Sequence, residues 1–377
     1  MLYFISEYFY PFADAGGPLR SIENILFFFD KNSNVCILTS SSDYNNKLLP
    51  KDYVTNNIVA DKVTGHKISY VSNCFSGLLF LFKTLTRNDV LYINGLFKPS
   101  LNLLPILISN KLIICPRGML QFSLLKQKRT VKQLYLCLLK FIFLFKNVQW
   151  HATTKQEALE IINVFGRKTN IKVISNIPVK PFAVYKNYIK QPQILSLVYY
   201  GLIVENKGLL TLIQTLKSLN YPVSLDIYGS VKDQDYWKLC QQEFNNNNSL
   251  ASFNYKGHAN PADSQTILAG YDALVLLTKG ENFGHSIYES LSVGTPVIIS
   301  NKTPWVFKES ATPAGWLVNY VNNEFDTDKL KQVLEALYNM DNNTYSLCSA
   351  NAHKYAVDFY NAHDFKAQYT ALFNSFN

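Results

Sequence analysis

No two of the six cysteines stand close together: Cys36, Cys74, Cys115, Cys137, Cys240 and Cys348 are scattered singly. That spacing argues against a disulfide framework or a zinc knuckle and suits a reducing compartment. No apolar run reaches the roughly 18 residues that a membrane-spanning helix needs. The longest candidate, Leu134 to Phe145, is interrupted by Lys140. The N-terminal run Met1-Leu-Tyr-Phe-Ile-Ser-Glu-Tyr has neither a basic start nor a small-residue cleavage site. It is expected to form a first buried strand and not a signal peptide. Charged residues are only 17% of the 377, against 48% hydrophobic ones. That is apolar material for two α/β cores and too ordered a composition for a disordered chain. Acidic residues are missing altogether from Val90 to Gln156, where Lys98, Lys111, Arg117, Lys126, Lys128, Arg129, Lys132, Lys140, Lys146 and Lys155 all fall. Something anionic is expected to meet that stretch.

What is present is alternation. Short apolar runs read as strands at Leu2–Ile5, Val35–Leu38, Val90–Ile93, Leu112–Cys115 and Val173–Ile174. A second series follows at Leu195–Tyr200, Val223–Tyr228, Leu274–Leu277 and Val297–Ile299. Amphipathic segments lie between them, among them Ser21–Phe29, Leu209–Leu219 and Leu330–Leu337, and Thr154 with Glu157 has the spacing of a capping box. Continuous apolar strands alternating with helices predict parallel sheets covered on both faces. Residues 176 to 193 hold three prolines and little periodicity, which marks a boundary between two doubly wound domains. The expected division is 1–180, 181–355, and a C-terminal helix over 356–377 that crosses back to the first domain.

The chemistry concentrates in Gly280-Glu281-Asn282-Phe283-Gly284-His285-Ser286-Ile287-Tyr288-Glu289, followed by Gly294-Thr295-Pro296. Following a buried strand, this stretch should be a loop that opens a helix. Gly284 permits close approach of backbone to a ligand, and the next amides would lie at a helix N-terminus, where a phosphate is favoured. Two carboxylates beside an anion site suit a ligand that combines hydroxyls with phosphates. Asp233-Gln-Asp235 is expected to start a helix and not to hold a metal.

These residues carry a resemblance. The spacing Glu281-x7-Glu289, with Phe283-Gly284 inside and Gly294-Thr295-Pro296 after, resembles glycosyltransferase family 4, retaining enzymes of the GT-B fold. Pro11…Gly16-Gly17-Pro18…Ser21-Ile22 looks like that family's first glycine-rich loop, and Gly201…Lys207-Gly208 like its phosphate-binding lysine motif. Pro116-Arg117-Gly118-Met119-Leu120 and Thr303-Pro304-Trp305 look like the branch that builds bacterial capsules and lipopolysaccharide O-chains. The resemblance implies two facing α/β domains with a cleft between them. It implies that Glu289 holds ribose hydroxyls and that Glu281 contacts the transferred sugar, helped by Phe283, Gly284, His285 and Ser286. Lys207, Gly16 and Gly17 would meet the diphosphate, and no divalent metal or cofactor is expected. Two positions depart from the family: Leu202 stands where arginine is common, and Arg117 where histidine is common. Arg117 is then a candidate for phosphate or for the acceptor.

The implied activity is transfer of a sugar from a nucleotide-sugar donor to a growing lipid-linked surface polysaccharide. A nucleotide-sugar epimerase and a degenerate nucleotide-sugar-binding protein are the alternatives. Nucleic acid is not an expected partner, because no recognition motif accompanies the sequence pI of about 9.0. The basic segment from Lys126 to Lys146 reads as a helix with its apolar face inside. Its basic tip, Lys126, Lys128, Arg129 and Lys132, would touch an anionic lipid surface. A cytoplasmic protein bound peripherally to the inner face of the plasma membrane follows from that reading.

Overall fold

The structure is a computed structural model, and it describes residues 1–12, 17–42, 48–121, 125, 129–182, 188–191, 193–245 and 249–376. The chain divides into two compact units, Met1–Ile177 with Asp364–Asn377, and Pro178–His363.

In unit 1 the strands are β1 (Leu2–Ser6), β2 (Val35–Ser40), β3 (Val59–Ala60), β4 (Lys67–Val71), β5 (Val90–Asn94), β6 (Lys111–Cys115), β7 (Val148–Ala152) and β8 (Asn170–Val173). They form one sheet in the order β3-β4-β2-β1-β5-β6-β7-β8, parallel except for the short β3–β4 pair. The connecting helices are α1 (Gly17–Leu26), α2 (Phe75–Thr84), α3 (Pro99–Ile108), α4 (Arg129–Phe143) and α5 (Lys155–Phe165). Side chains alternate across a strand. Tyr3, Ile5, Leu91, Ile93, Leu112 and Ile114 therefore share one core with Leu81, Leu101, Ile106, Leu139 and Ile161 from helices α2 to α5. Because β1 leads to β2 on one side and β5 lies on its other side, strand order reverses between β1 and β5. Ligands of such sheets bind beyond the carboxyl ends of the strands at this reversal.

Unit 2 runs β9 (Leu195–Tyr200), α6 (Leu209–Lys217), β10 (Val223–Tyr228), α7 (Gln234–Asn245), β11 (Ala251–Gly257), α8 (Ser264–Leu268), β12 (Ala273–Leu276), α9 (His285–Ser292), β13 (Val297–Ser300) and β14 (Gly315–Val318). A small antiparallel ribbon, β15 (Tyr320–Val321) with β16 (Glu324–Phe325), leads to α10 (Thr327–Tyr338) and α11 (Asn342–Asn361). Its main sheet is all parallel, ordered β11-β10-β9-β12-β13-β14, and reverses between β9 and β12.

The chain then returns to unit 1 as α12 (Phe365–Phe373). Phe373 packs edge-on against Phe4 and Tyr92, both at 5.6 Å, so α12 covers the sheet face opposite the α2–α5 layer. The single helix expected over 356–377 would read straight through this point. The break has a local cause: Asp364 accepts from the Ala367 N–H at 2.9 Å and starts a new helix, so residues 356–361 stay in α11. Aspartates cap in the same way elsewhere. Asp233 accepts from Tyr236 N–H at 3.0 Å, which makes Asp233-Gln-Asp235 a helix start. The Thr154 cap forms, its hydroxyl accepting from Glu157 N–H at 3.0 Å, but the Glu157 carboxylate does not reach back to Thr154. It is buried and accepts instead from Thr153 N–H and Oγ1–H, both at 2.7 Å, and from Gly118 N–H at 2.6 Å.

Helix α4 differs from the expected one-sided helix. Tyr135, Leu136, Leu139 and Ile142 are buried, yet Val131, Leu134, Leu138 and Phe141 are exposed, as are Leu144 and Phe145 in the turn that follows. The outer face of this helix is therefore apolar as well, with basic residues around it. Among the described residues no helix is long and apolar enough to cross a membrane.

Candidate functional site

The reversal point of unit 2 brings together loops that are far apart in sequence. After β9 a single 3-10 turn, Glu205–Lys207, ends at Gly208, whose φ of +67° is left-handed. A Cβ at Gly208 would sit 2.1 Å from the Leu277 carbonyl oxygen, so only glycine lets this turn press against the end of β12. That contact places Lys207 over the loop after β12, and its ammonium pairs with the Glu281 carboxylate. Both side chains are mostly buried, at 17% and 16% exposure. Each holds the other in place, and the pair keeps a positive and a negative group at one spot.

The loop from Thr278 to Gly284 is braced on both sides. Towards β9, Lys279 N–H donates to the Asn206 carbonyl at 2.8 Å, and Asn206 Nδ2 donates to the Gly280 carbonyl at 3.3 Å. Towards β13, Glu281 N–H donates to the Lys302 carbonyl at 2.9 Å, and the Trp305 indole N–H donates to the Phe283 carbonyl. Gly284, at φ +78°, is the N-cap of α9 and makes no side-chain cap bond. The first amides of a helix have no partner within the helix, and the dipole there favours an anion. Lys207 and Glu281 thus lie beside a helix N-terminus at the carboxyl edge of the sheet.

Further along α9, Glu289 stands one helical turn beyond His285 on the same side of the helix and is only 4% exposed. The His285 ring packs on Phe283 at 4.9 Å, while Ser286 is half-buried. Lys207, Glu281, Phe283, Gly284, His285, Ser286 and Glu289 therefore share one region of unit 2. Among the described residues no group of three or more His, Cys, Asp or Glu side chains could hold a metal ion. All six thiols are free.

The other expected site residues belong to unit 1. Gly16 lies outside the described residues, and Gly17 opens α1 just beyond β1. Asn94, at the end of β5, spans this unit's own reversal point. Its Nδ2 donates to the Pro18 carbonyl at 3.1 Å, and its Oδ1 accepts from Arg117 Nε at 2.5 Å. Arg117 adopts φ +56°, and two further N–H groups donate to Asn176 Oδ1 and, at 2.9 Å, to the Tyr92 hydroxyl. Tyr92 in turn donates to His151 Nδ1 at 2.8 Å, because the other ring nitrogen, at 2.8 Å from the Ile174 carbonyl, must carry the proton. Burial, and after it the Arg117 charge, pushes the His151 imidazole down to about 3, so the ring is neutral. Tyr369 of α12 closes the cluster by donating to the Ser175 carbonyl at 3.2 Å. Arg117 thus ties β5, β6 and the segment after β8 together.

Lys126 and Lys128 lie outside the described residues, as does the side chain of Arg129. Lys132 is half-buried, its ammonium 5.2 Å from the centre of the Phe97 ring. The supporting residues Asn94, Tyr92, Asn176 and Asn206 were not singled out by sequence, and Glu157 only as part of a helix cap. Only Asn94 carries a local signal, a polar residue at the end of an apolar strand followed by Gly95.

Residues 186–365, just under half of the chain, match the family model described as "Glycosyl transferases group 1". No curated protein matches the sequence. Among solved structures, HepE of Anabaena in complex with UDP-glucose is similar, with a TM-score of 0.75 at 15% identity over 99% of both chains. Sucrose-phosphate synthase from Thermosynechococcus elongatus gives 0.73 at 15% identity, covering 99% of this chain and 98% of that one. WaaG, a glycosyltransferase involved in lipopolysaccharide biosynthesis, gives 0.66 at 14%, covering 99% and 100%. The parallel α/β sheets of this chain are accordingly those of the GT-B fold, and its second half carries the group 1 glycosyltransferase match.

Proposed function

We propose that this protein transfers a sugar from a nucleoside-diphosphate sugar to a growing, lipid-linked surface polysaccharide, with the anomeric configuration retained. The observation that carries the reading is the placement of Lys207, Glu281 and the N-terminus of α9 at the reversal point of unit 2. In transfer, an acceptor hydroxyl oxygen bonds to the anomeric carbon, the bond from that carbon to the phosphate oxygen breaks, and the acceptor proton is lost. The departing diphosphate gains charge as the bond breaks. Lys207 and the first amides of α9 supply fixed positive groups for it. That set performs the task a divalent metal has in other enzymes, so no metal is needed in this scheme. Glu289 takes the ribose hydroxyls and Glu281 the transferred sugar, because a carboxylate accepts paired hydroxyls well.

A panel of UDP, GDP, ADP and dTDP tests the donor site by thermal stabilisation. A ligand at about 100 times its dissociation constant stabilises by roughly 2.7 kcal/mol, and Glu289→Ala should abolish that shift. A well-folded protein that none of the four shifts would rule out the donor site.

We place the protein at the inner face of the plasma membrane, where a lipid-linked acceptor resides. The support is the exposed apolar face of α4 in a stretch that has basic residues and no acidic ones. Leu134 and Phe141 are 70% and 62% exposed, so Leu134→Ser with Phe141→Ser should not disturb the core. Each apolar side chain inserted into lipid contributes about 1.5–3 kcal/mol. The double variant should therefore sediment with phosphatidylglycerol vesicles at least about tenfold more weakly, with an unchanged melting temperature. Equal sedimentation of variant and wild type would remove α4 from the membrane contact.

A further inference from the structure

We propose that Trp305 is a positioning residue of the donor site: its indole N–H fixes the orientation of the Phe283–Gly284 peptide and so aims the Gly284 amide at the phosphate. This rests on the donor-site reading above and adds to it a residue from a different loop. Trp305 is 3% exposed and lies among Phe283 at 5.1 Å, Phe359 at 5.0 Å and Tyr288 at 5.9 Å between ring centres. An indole nitrogen can only donate, and a buried one needs an acceptor. Here that acceptor is the carbonyl of Phe283.

The peptide concerned is the one most able to turn over. Gly284 is left-handed at φ +78° and, lacking Cβ, tolerates either sign of φ, so the Phe283–Gly284 peptide could present either its carbonyl or its N–H to a ligand. A carbonyl aimed at a diphosphate repels it, and an N–H attracts it. In a trans peptide the two groups point in opposite directions. Holding the carbonyl against Trp305 therefore sends the Gly284 N–H the other way. The same loop holds the other end of the segment, since the Lys302 carbonyl accepts from Glu281 N–H at 2.9 Å. Residues 302–305 thus clamp 281–283 at two points, and the Thr303-Pro304-Trp305 turn acquires a task beyond packing.

Trp305→Phe keeps a ring in the aromatic cluster but removes the donor together with some ring volume. Phe359→Leu disturbs the same cluster from α11 and leaves the hydrogen bond in place. Binding of UDP, GDP, ADP and dTDP to wild type and both variants is measured by calorimetry, alongside melting temperatures. The expected result is about tenfold weaker binding of the preferred nucleotide to Trp305→Phe, the scale of one net hydrogen bond, with Phe359→Leu binding as wild type despite a lower melting temperature. Wild-type affinity in Trp305→Phe, or equal weakening in both variants, overturns the inference. If wild type binds none of the four nucleotides, the donor-site reading fails and the role of Trp305 falls with it.

Discussion

Lys207→Ala is expected to lower kcat/KM for sugar transfer by about two to three orders of magnitude, with the loss falling mainly on kcat. The size follows from removing one preorganised positive group from the place where charge develops, typically about 3–4 kcal/mol. Lys207 is held for that task by a mostly buried ion pair with Glu281, and by Gly208, which presses the turn onto the end of β12. The effect falls on kcat because the diphosphate carries more charge in the transition state than in the bound donor, so the lost interaction was strongest there. The fold should survive. Glu281 Oε1 still accepts its Asn282 N–H at 3.1 Å, and the cost of the lost pair is on the order of 1–3 kcal/mol, felt in unit 2. Glu281→Gln should also impair transfer. The double variant Lys207→Ala with Glu281→Gln should lose less than the product of the two single losses, since each single change leaves the other charge without its partner. Steady-state kinetics that follow nucleoside diphosphate release decide the matter. A kcat/KM within threefold of wild type in Lys207→Ala would take Lys207 out of the reaction.

The sequence makes this site half legible, for a physical reason. Glu281 and Glu289 are read together because loop-then-helix geometry is local, and the strand before them is continuously apolar. The pairing of Lys207 with Glu281 is not local. It depends on β9 lying beside β12, and strand order is set by which way each crossover turns, not by order in the chain. The same contrast runs through the fold. Strands buried on both faces, such as β2 and β13, announce themselves as apolar runs. The edge strand β11 does not, because its exposed Asn254 and Lys256 pair with Asp226 of β10 on the sheet surface instead of entering a core. Strand β4 begins Lys67-Ile-Ser-Tyr and hides its burial behind polar residues. For α4 the composition was visible but the face was not. Its outward leucines and phenylalanines fit a core helix equally well until its inner face is seen to be filled by Tyr135, Leu136, Leu139 and Ile142.

Arg117 is where sequence and structure part most clearly, and its replacement separates two roles. The resemblance makes it a candidate for phosphate or acceptor, but three of its five N–H groups are held inside unit 1 by Asn94, Asn176 and Tyr92. Swinging the guanidinium away onto a ligand would release at least one of these acceptors and leave it short of a hydrogen bond. Its left-handed φ of +56° costs about a kilocalorie for a residue with a side chain, and such strain persists only where the surroundings hold it. Arg117→Ala should therefore destabilise unit 1 by about 2–3 kcal/mol, the scale of leaving buried hydrogen-bond partners unsatisfied. Arg117→Lys should recover little of that loss, because one ammonium cannot span the positions a planar guanidinium reaches. The two compact units need not melt together, so calorimetry can follow them apart. In Arg117→Ala the transition stabilised by nucleoside diphosphate should stay in place while an earlier one moves down. Lys207→Ala should give the reverse, an unmoved unit 1 and a weakened nucleotide response. If instead Arg117→Ala melts as wild type and loses transfer or nucleotide binding, the guanidinium does leave its internal partners for the substrate. The network around Tyr92 and His151 would then be the resting place of a mobile catalytic arginine.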